Sequence, residues 1–490
     1  MTLNKTTYYG ILFLLVLASF RTFSSMYFPA LNSDDGINIL MVHSFSMPEN
    51  LYFWGQDRYG SFIPLLANPL LKIFSLRAEV AESIVHFGVL LLGFFSFASF
   101  LKSRYIKILF ALLFFFPPYH MVEFFRNNIG LSYCLVGMML FLLHKIQSTE
   151  IKLVNKHFCY FLLTLLTVFS VWLSELAAIS IFILLMVFIV KGFLKKGTIS
   201  NLIRYKTEVV YFIFTLATLI VFISYAKQNA IKIETFKGIN SYSEVINSFT
   251  IFFNSLFRLM FFNAKEPITG IYLILLLFAL MIFCFSKKKI ELNKMQKTLF
   301  VFLITDVIII FGVIMLSNWA LLNNIPRRYF VGSYIFLGLA SLIIIENTKF
   351  NHQKLKYLNH FVFVVISIGG ISSFYNLIYV WPKTFSPKIK VVSEFRQLEP
   401  AGIIADYWNS YITACANPSL IKATPHDAQE IRNKKMAIEV MEQENIYIIR
   451  DGWLEFFPDT LIQFNNTLVK SGDAFTLGNS NVCLYKKLPE

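Results

Sequence analysis

The chain has 490 residues, 56% of them hydrophobic and 15% charged, against about 25% charged in soluble proteins. That deficit excludes an ordinary soluble enzyme and predicts a large helical membrane domain with one smaller soluble piece. The formal net charge is +15, but Lys and Arg fall in short clusters between apolar runs, which is the positive-inside pattern and not a nucleic-acid footprint. No nucleic acid is expected as a partner.

In chain order, an apolar run over 8–28, interrupted by Arg21, comes first. It is too long for a signal h-region and shows no small-residue cleavage site, so it reads as an uncleaved first membrane helix. Ten more apolar stretches follow, at 80–101, 105–122, 128–144, 157–174, 176–194, 208–226, 268–286, 298–316, 329–346 and 358–381. A membrane span needs about 20 apolar residues, and lipid cannot satisfy a bare backbone, so each is expected to be a helix. Phe is abundant, at 54 residues, which suits lipid-facing surfaces.

With eleven spans the basic clusters all fall on one side. They are Lys5; Lys102, Arg104 and Lys107; Lys145, Lys152 and Lys156; Lys195, Lys196, Arg204 and Lys206; Lys287, Lys288, Lys289, Lys294 and Lys297; and Lys349, Lys354 and Lys356. That side is expected to be cytoplasmic, with the N-terminus inside and the C-terminal tail outside. The expected layout is a transmembrane domain over 1–382 and a soluble extracytoplasmic α/β domain over 383–490, in a multi-pass protein surrounded by membrane lipids.

The outer side holds most of the polar material. A first loop, 29–79, contains two stretches of mixed polarity, 34–45 and 59–74, suited to helices lying in the interface. A second outer loop carries an amphipathic segment near 242–262. In the tail, 402–406 and 445–450 read as short strands and 428–444 as a helix. Cys134, Cys159 and Cys284 lie in apolar runs and read as packing residues, whereas Cys415 and Cys483 are able to pair in an oxidising compartment.

The first outer loop concentrates Asp34, Asp35, His43, Gln56, Asp57, Arg58 and Tyr59. A sugar hydroxyl is a poor nucleophile, and a carboxylate beside it can take its proton. Two adjacent carboxylates repel, which separates their affinities for a proton. The simpler reading of Asp34–Asp35 is a helix cap. Glu123 and Arg126, three residues apart, share a face if helical and offer a second acid and a phosphate-binding cation, or only an ion pair. Glu175 sits between two apolar runs, either at depth, where an ionisable group is functional by default, or in a tight outer turn. Arg327, Arg328 and Tyr329 open the tenth span from the outer side, against the positive-inside trend. Phosphate is the natural partner of paired guanidiniums, and anionic lipid headgroups are the alternative. The His residues show no HExxH spacing, and no P-loop or GxSxG motif appears. No metal requirement is visible, although carboxylates at a site of this kind can hold a divalent cation.

Taken together, these stretches resemble the GT-C superfamily of membrane glycosyltransferases, in the bacterial branch related to protein mannosyltransferases and aminoarabinose transferases. The acidic pair in LNSDDGINIL follows the first span. The stretch YFWGQDRYGSFIPLLANPLLKIF is similar to the family's aromatic–Gly–Gln segment. PRRYFVGSYIFLG starts a late helix with a basic–Tyr motif, and GIIADYWNSYITA, with Tyr407 and Trp408, is similar to the Tyr–Trp segment that follows the last helix of some members. Asp–Asp stands here where the family often has Asp–Glu.

The resemblance implies an inner-membrane enzyme of the cell envelope that transfers a sugar, with inversion, from a polyprenyl-phosphate donor. The acceptor would be a glycan, a lipid or a protein. Asp34 would act as base, helped by Asp35 or Glu123. Arg328, with Arg327, Tyr329 or Arg126, would hold the donor phosphate. Gln56, Asp57, Arg58, Tyr59, Tyr407 and Trp408 would line the substrate site. An O-antigen polymerase or ligase would more usually carry a large late periplasmic loop. A lipid-linked sugar transporter or flippase would show repeated halves and midplane polar groups, and a non-catalytic assembly protein on the same scaffold is a further alternative.

Overall fold

A computed structural model describes residues 3–147, 153–193, 206–231, 238–261, 265–285, 290–349, 352–377 and 386–488. Lys152, Lys195, Lys196, Arg204, Lys287, Lys288, Lys289, the Cys284 side chain and the expected boundary at 382–383 lie outside the described residues. The chain divides into two compact units. One comprises Met1–Phe20, Gly88–Ser224 and Glu234–Tyr379, and the other Arg21–Phe87, Tyr225–Ile233 and Val380–Glu490. The first outer loop and the C-terminal tail therefore belong to one unit, although more than half of the chain separates them.

The first unit is helical. All eleven apolar stretches form helices, among them Lys5–Phe23, Asn128–Gln147, Lys294–Leu316 and His352–Leu377. Among the described residues eight helices are long and apolar enough to cross a membrane, nine if a bent pair counts as one span, so the chain is a polytopic membrane protein. The bent pair is the expected straight span at 105–122. It breaks into Arg104–Phe115 and a 3-10 helix, Tyr119–Phe125, at an angle of 89°. Pro117 and Pro118 lie in the break, where each removes a backbone donor and clashes with the preceding turn.

The phenylalanines do more than face lipid. Phe94, Phe97, Phe110, Phe114, Phe115, Phe124, Phe302 and Phe336 are fully buried. Their rings meet mostly edge-on or tilted, as in Phe114–Phe124 at 4.9 Å and Phe302–Phe336 at 5.6 Å between centroids. Lipid gives helices no hydrophobic reason to associate, so dispersion between large, well-fitted side chains must supply part of it. Cys134 is buried among them, as its apolar setting predicts. The amphipathic helix also forms, at Tyr242–Phe261.

In the second unit, the two mixed stretches of the first loop are helices, Ser33–His43 and Phe62–Phe74. The tail is an α/β unit with strands β1 Ala401–Ala405, β2 Ile421–Pro425, β3 Ile446–Arg450, β4 Thr460–Gln463, β5 Asn466–Lys470, β6 Phe475–Leu477 and β7 Ser480–Lys487. The order is β2-β1-β3-β7-β5-β4, with β6 on β7. β1 runs parallel to both neighbours and is buried along its whole length, hence its uninterrupted apolar run. The expected helix over 428–444 is shorter. Ala428–Glu430 is a single 3-10 turn, and Asn433 caps a helix of Lys434–Met441. Cys415 and Cys483 are separate free thiols and not a pair; Cys415 donates to the Gly36 carbonyl at 3.4 Å, and Cys483 lies in β7.

Candidate functional site

The acidic pair divides its labour. Asn32, and not either aspartate, is the N-cap of the Ser33–His43 helix, and its side chain accepts from the Asp34 and Asp35 amides. Asp35 is turned back, its Oδ2 accepting from the Asn32 amide at 2.9 Å, which completes a capping box. Asp34 is left exposed at the first turn, and its Oδ1 accepts a hydrogen bond from the Tyr407 hydroxyl. The capping explanation therefore accounts for Asp35 and does not account for Asp34.

Tyr407 reaches Asp34 because two helices of this unit pack backbone to backbone. A Cβ on Gly36 would lie 2.8 Å from Cα and N of Ile412, so glycine alone allows the Tyr407–Ala414 helix to come this close. Ser33 Oγ accepts from the Tyr411 amide at 2.9 Å and fixes the register. Burial, and after it the Asp34 carboxylate, push the Tyr407 phenol well above its ordinary value, while Arg432 opposes them. The phenol therefore stays a donor. Trp408, the other half of the Tyr–Trp segment, is 56% exposed, an uncovered ring beside Tyr407.

Arg432 is a residue that sequence reasoning missed. Its guanidinium Cζ lies over the Tyr407 ring, 5.3 Å from the centroid. Its amide donates to the Tyr411 hydroxyl at 2.8 Å, as the Asn433 amide does at 3.2 Å. The aromatic–Gly–Gln segment supplies the opposite wall. Trp54 meets Tyr411 edge-on at 6.3 Å, and a Cβ on Gly55 would stand 3.1 Å from Arg432 Cα and Cδ. Gly55 also has φ +68°, so it is required twice over. Gln56, Asp57, Arg58 and Tyr59 occupy the half-buried end of this loop, which is closed by pairing of Tyr52 with Gly60. Gln56 Oε1 is buried with no hydrogen-bond partner among the described residues.

At the carboxyl ends of β1 and β3 lies a second polar group of this unit. Asp451 accepts from the Asp406 amide at 3.2 Å and from Asn409 Nδ2 at 3.1 Å. Burial, with the charge of Asp406, raises the Asp451 carboxyl above its ordinary value. Burial lowers Lys388, against the pull of Asp451 and Asp406.

The helical unit holds the other predicted residues. Glu123 lies in the 3-10 helix and pairs with Arg327, Nε to Oε1 at 3.3 Å, a partner 204 residues away. Arg126 is the C-cap of the same short helix. Arg327 Nη1 also lies 3.0 Å from His120 Nδ1, and His120 Nε2 lies 2.5 Å from Glu266 Oε2. The sequence thus showed two members of a chain, Glu123–Arg327–His120–Glu266, and missed two. Arg327, Arg328 and Tyr329 form a 3-10 turn before the Val331–Asn347 helix and are not part of it. Arg328 lies over the buried Tyr329 ring at 5.5 Å. Glu175 is exposed in the turn between the Leu153–Leu173 and Leu176–Phe193 helices.

Asp306 was also overlooked. It is fully buried within the Lys294–Leu316 helix, and neither carboxyl oxygen has a hydrogen-bond partner among the described residues. Its neighbours include Ser180 and Tyr133. A lone Asp in the run LITDVIII was the signal available. Among the described residues no group of three or more His, Cys, Asp or Glu is placed to hold a metal ion.

No protein-family model matches the chain, and no curated protein matches it. Solved structures do. The apo crystal structure of ArnT from Cupriavidus metallidurans superposes with TM-score 0.58 at 9% identity, covering 98% of each chain. The same protein bound to undecaprenyl phosphate gives TM-score 0.56, again at 9% identity and 98% coverage of both chains. An oligosaccharyltransferase from Archaeoglobus fulgidus, complexed with Zn and sulfate, gives TM-score 0.45 at 11% identity, over 90% of this chain and 68% of that one. The chain is a polytopic membrane protein whose fold is similar to that of ArnT over 98% of its length.

Proposed function

We propose that this protein is a membrane glycosyltransferase that moves a sugar from a polyprenyl-phosphate donor to an acceptor hydroxyl, with inversion. The observation that carries this reading is Asp34: an exposed carboxylate, oriented by a buried phenol, on a chain with the fold of a protein crystallised with undecaprenyl phosphate. In the reaction the acceptor oxygen attacks the anomeric carbon and its proton passes to Asp34. The bond from that carbon to the phosphate oxygen breaks, and the electron pair leaves on the lipid phosphate. General-base help of this kind is worth about 10²–10⁴ in rate.

Arg327 and Arg328 are assigned to the developing phosphate charge, with Tyr329 next to them in sequence and Arg126 at the end of the short helix that carries Glu123. Glu123 is engaged by Arg327, so it serves better as the group that orients Arg327 than as a second base. Asp35, held in its capping box, shapes the helix start. Tyr407, Trp408 and the Gln56–Tyr59 loop are assigned to sugar binding. The basic clusters support an N-terminus in the cytoplasm and residues 383–490 outside, in a bacterial inner membrane.

The test is reconstitution of the full chain in lipid nanodiscs, offered radiolabelled sugars on undecaprenyl phosphate or on nucleotide carriers, with delipidated envelope glycan as acceptor. Transfer from the lipid carrier alone supports the reading; transfer from a nucleotide sugar alone contradicts it. Mass spectrometry of envelope glycans from a deletion strain identifies the missing sugar.

A further inference from the structure

We propose that Arg432 is a positioning residue for Asp34, acting through Tyr407, so that the soluble tail sets the protonation of the catalytic carboxylate. The proposal rests on the reading of Asp34 as the base. Three observations carry it.

The first is connectivity. The Tyr407 hydroxyl donates to Asp34 Oδ1, and the Arg432 guanidinium lies against the ring of that same tyrosine. The cation thus reaches the carboxylate through one polarisable phenol.

The second is confinement. Arg432 is held on one side by the Tyr411 hydroxyl, which accepts from two consecutive amides. On the other side is Gly55, whose missing side chain and positive φ admit it. A surface arginine that only solubilised the tail would not be pinned from two segments as distant in sequence as those of Gly55 and Tyr411.

The third is its partnering. Arg432 Nε is buried without a hydrogen-bond partner, and no carboxylate salt bridge to Arg432 is found among the described residues. A guanidinium with no carboxylate to neutralise it keeps its field for the phenol. Polarised this way, the phenol is a stronger donor, and a hydrogen bond to the charged form keeps a carboxylate ionised.

The charged and titratable groups around Asp34 include Tyr407 and Arg432 from the tail and Asp35 on its own helix. Asp35 faces the Asn32 amide and interacts with Glu82, while Glu79 lies near Cys415 with Asp35. Those acids stand on the Asp35 side and are unchanged by the substitutions below.

A water-soluble carbodiimide labels protonated carboxyls, and peptide mass spectrometry reads labelling at Asp34 across a pH series in the full-length protein. Tyr407→Phe is expected to move the labelling midpoint up by about one pH unit, a tenfold change in the protonated fraction. Arg432→Met, which keeps the apolar stem over the ring, is expected to move it up by about half a unit, roughly threefold. Arg432→Lys should restore the midpoint, and Arg432→Met should add nothing in a Tyr407→Phe background. A midpoint unmoved by Arg432→Met while Tyr407→Phe shifts it overturns the proposal, as does a full additive shift in the double variant. If Arg432→Met does not fold, the Arg432→Lys and Arg432→Gln profiles decide in the same way. Transfer activity of Asp34→Asn is read separately: if it persists, the base assignment fails, whatever the labelling shows.

Discussion

Asp34 and Asp306 are the same residue in opposite settings. Asp34 is exposed at a helix start and takes a hydrogen bond from a tyrosine 373 residues away. Asp306 is sealed in a membrane-spanning helix, with no hydrogen bond to either oxygen among the described residues. A carboxylate that must accept a proton from a substrate needs access and a partner that keeps it ionised. A carboxylate with neither is a cost to the fold, a few kcal/mol if charged. On the proposed reading, the contrast separates the acid assigned to chemistry from an acid that stability tolerates.

The largest way to break that contrast is to part the helices that build the Asp34 site. Gly36→Val puts carbon 2.8 Å from the Ile412 backbone and should destabilise the tail-containing unit by about 3 kcal/mol, seen as protease cleavage within the tail. Arg327→Ala should cost about 10–100-fold in kcat/KM for the lipid donor, the worth of one charge-assisted contact. Its stability effect should stay under about 1 kcal/mol, because the pair with Glu123 is half exposed; equal losses for donor and acceptor would contradict a phosphate role. Gly55→Ala, at φ +68°, should cost about 1–2 kcal/mol and lower activity through Arg432. Asp306→Asn keeps the shape and removes the charge, so thermal stability in detergent should hold or rise, with transfer unchanged; lost transfer would move Asp306 into the mechanism.

The smallest effect concerns pH. Burial and Asp406 raise Asp451 above its unfolded value. A raised acid contributes stability that is present below the unfolded carboxylate value and lost as pH rises through the folded one. The tail should therefore melt slightly higher near pH 4 than at pH 7 on this account. Asp451→Asn should flatten the difference and leave the tail slightly more stable at neutral pH. A steeper pH dependence in the variant would reverse the sign of the argument.

How much of this was legible in the sequence depends on range. Apolar length and mixed polarity are local, so the apolar helices, the Ser33–His43 and Phe62–Phe74 helices and the Tyr242–Phe261 helix were readable, although eleven spans were expected and eight of the described helices, nine with the bent pair, are long and apolar enough to cross a membrane. The break at Pro117–Pro118 was readable too, since prolines within a run expected to be one straight span are a sufficient warning. The two hairpins of the tail were signalled by Asn465 and by Gly478–Asn479, all at positive φ, a turn chemistry that hairpins favour. The partners of the acidic residues were not readable. Arg432 meets Tyr407 and Gly55, and Arg327 meets Glu123 and His120, only after folding brings distant segments together. Nothing in the spacing around Arg432 sets it apart from the exposed Lys434 and Lys435.

The central claim is that Asp34 takes the acceptor's proton. Purified full-length protein and its Asp34→Asn variant, in the same nanodiscs, should be compared for binding of an undecaprenyl-phosphate sugar and for transfer of that sugar. Asp34→Asn should bind the donor within about threefold of wild type and lose at least about 10²-fold in transfer. Transfer at the wild-type rate, or loss of donor binding equal to the loss of transfer, would contradict it.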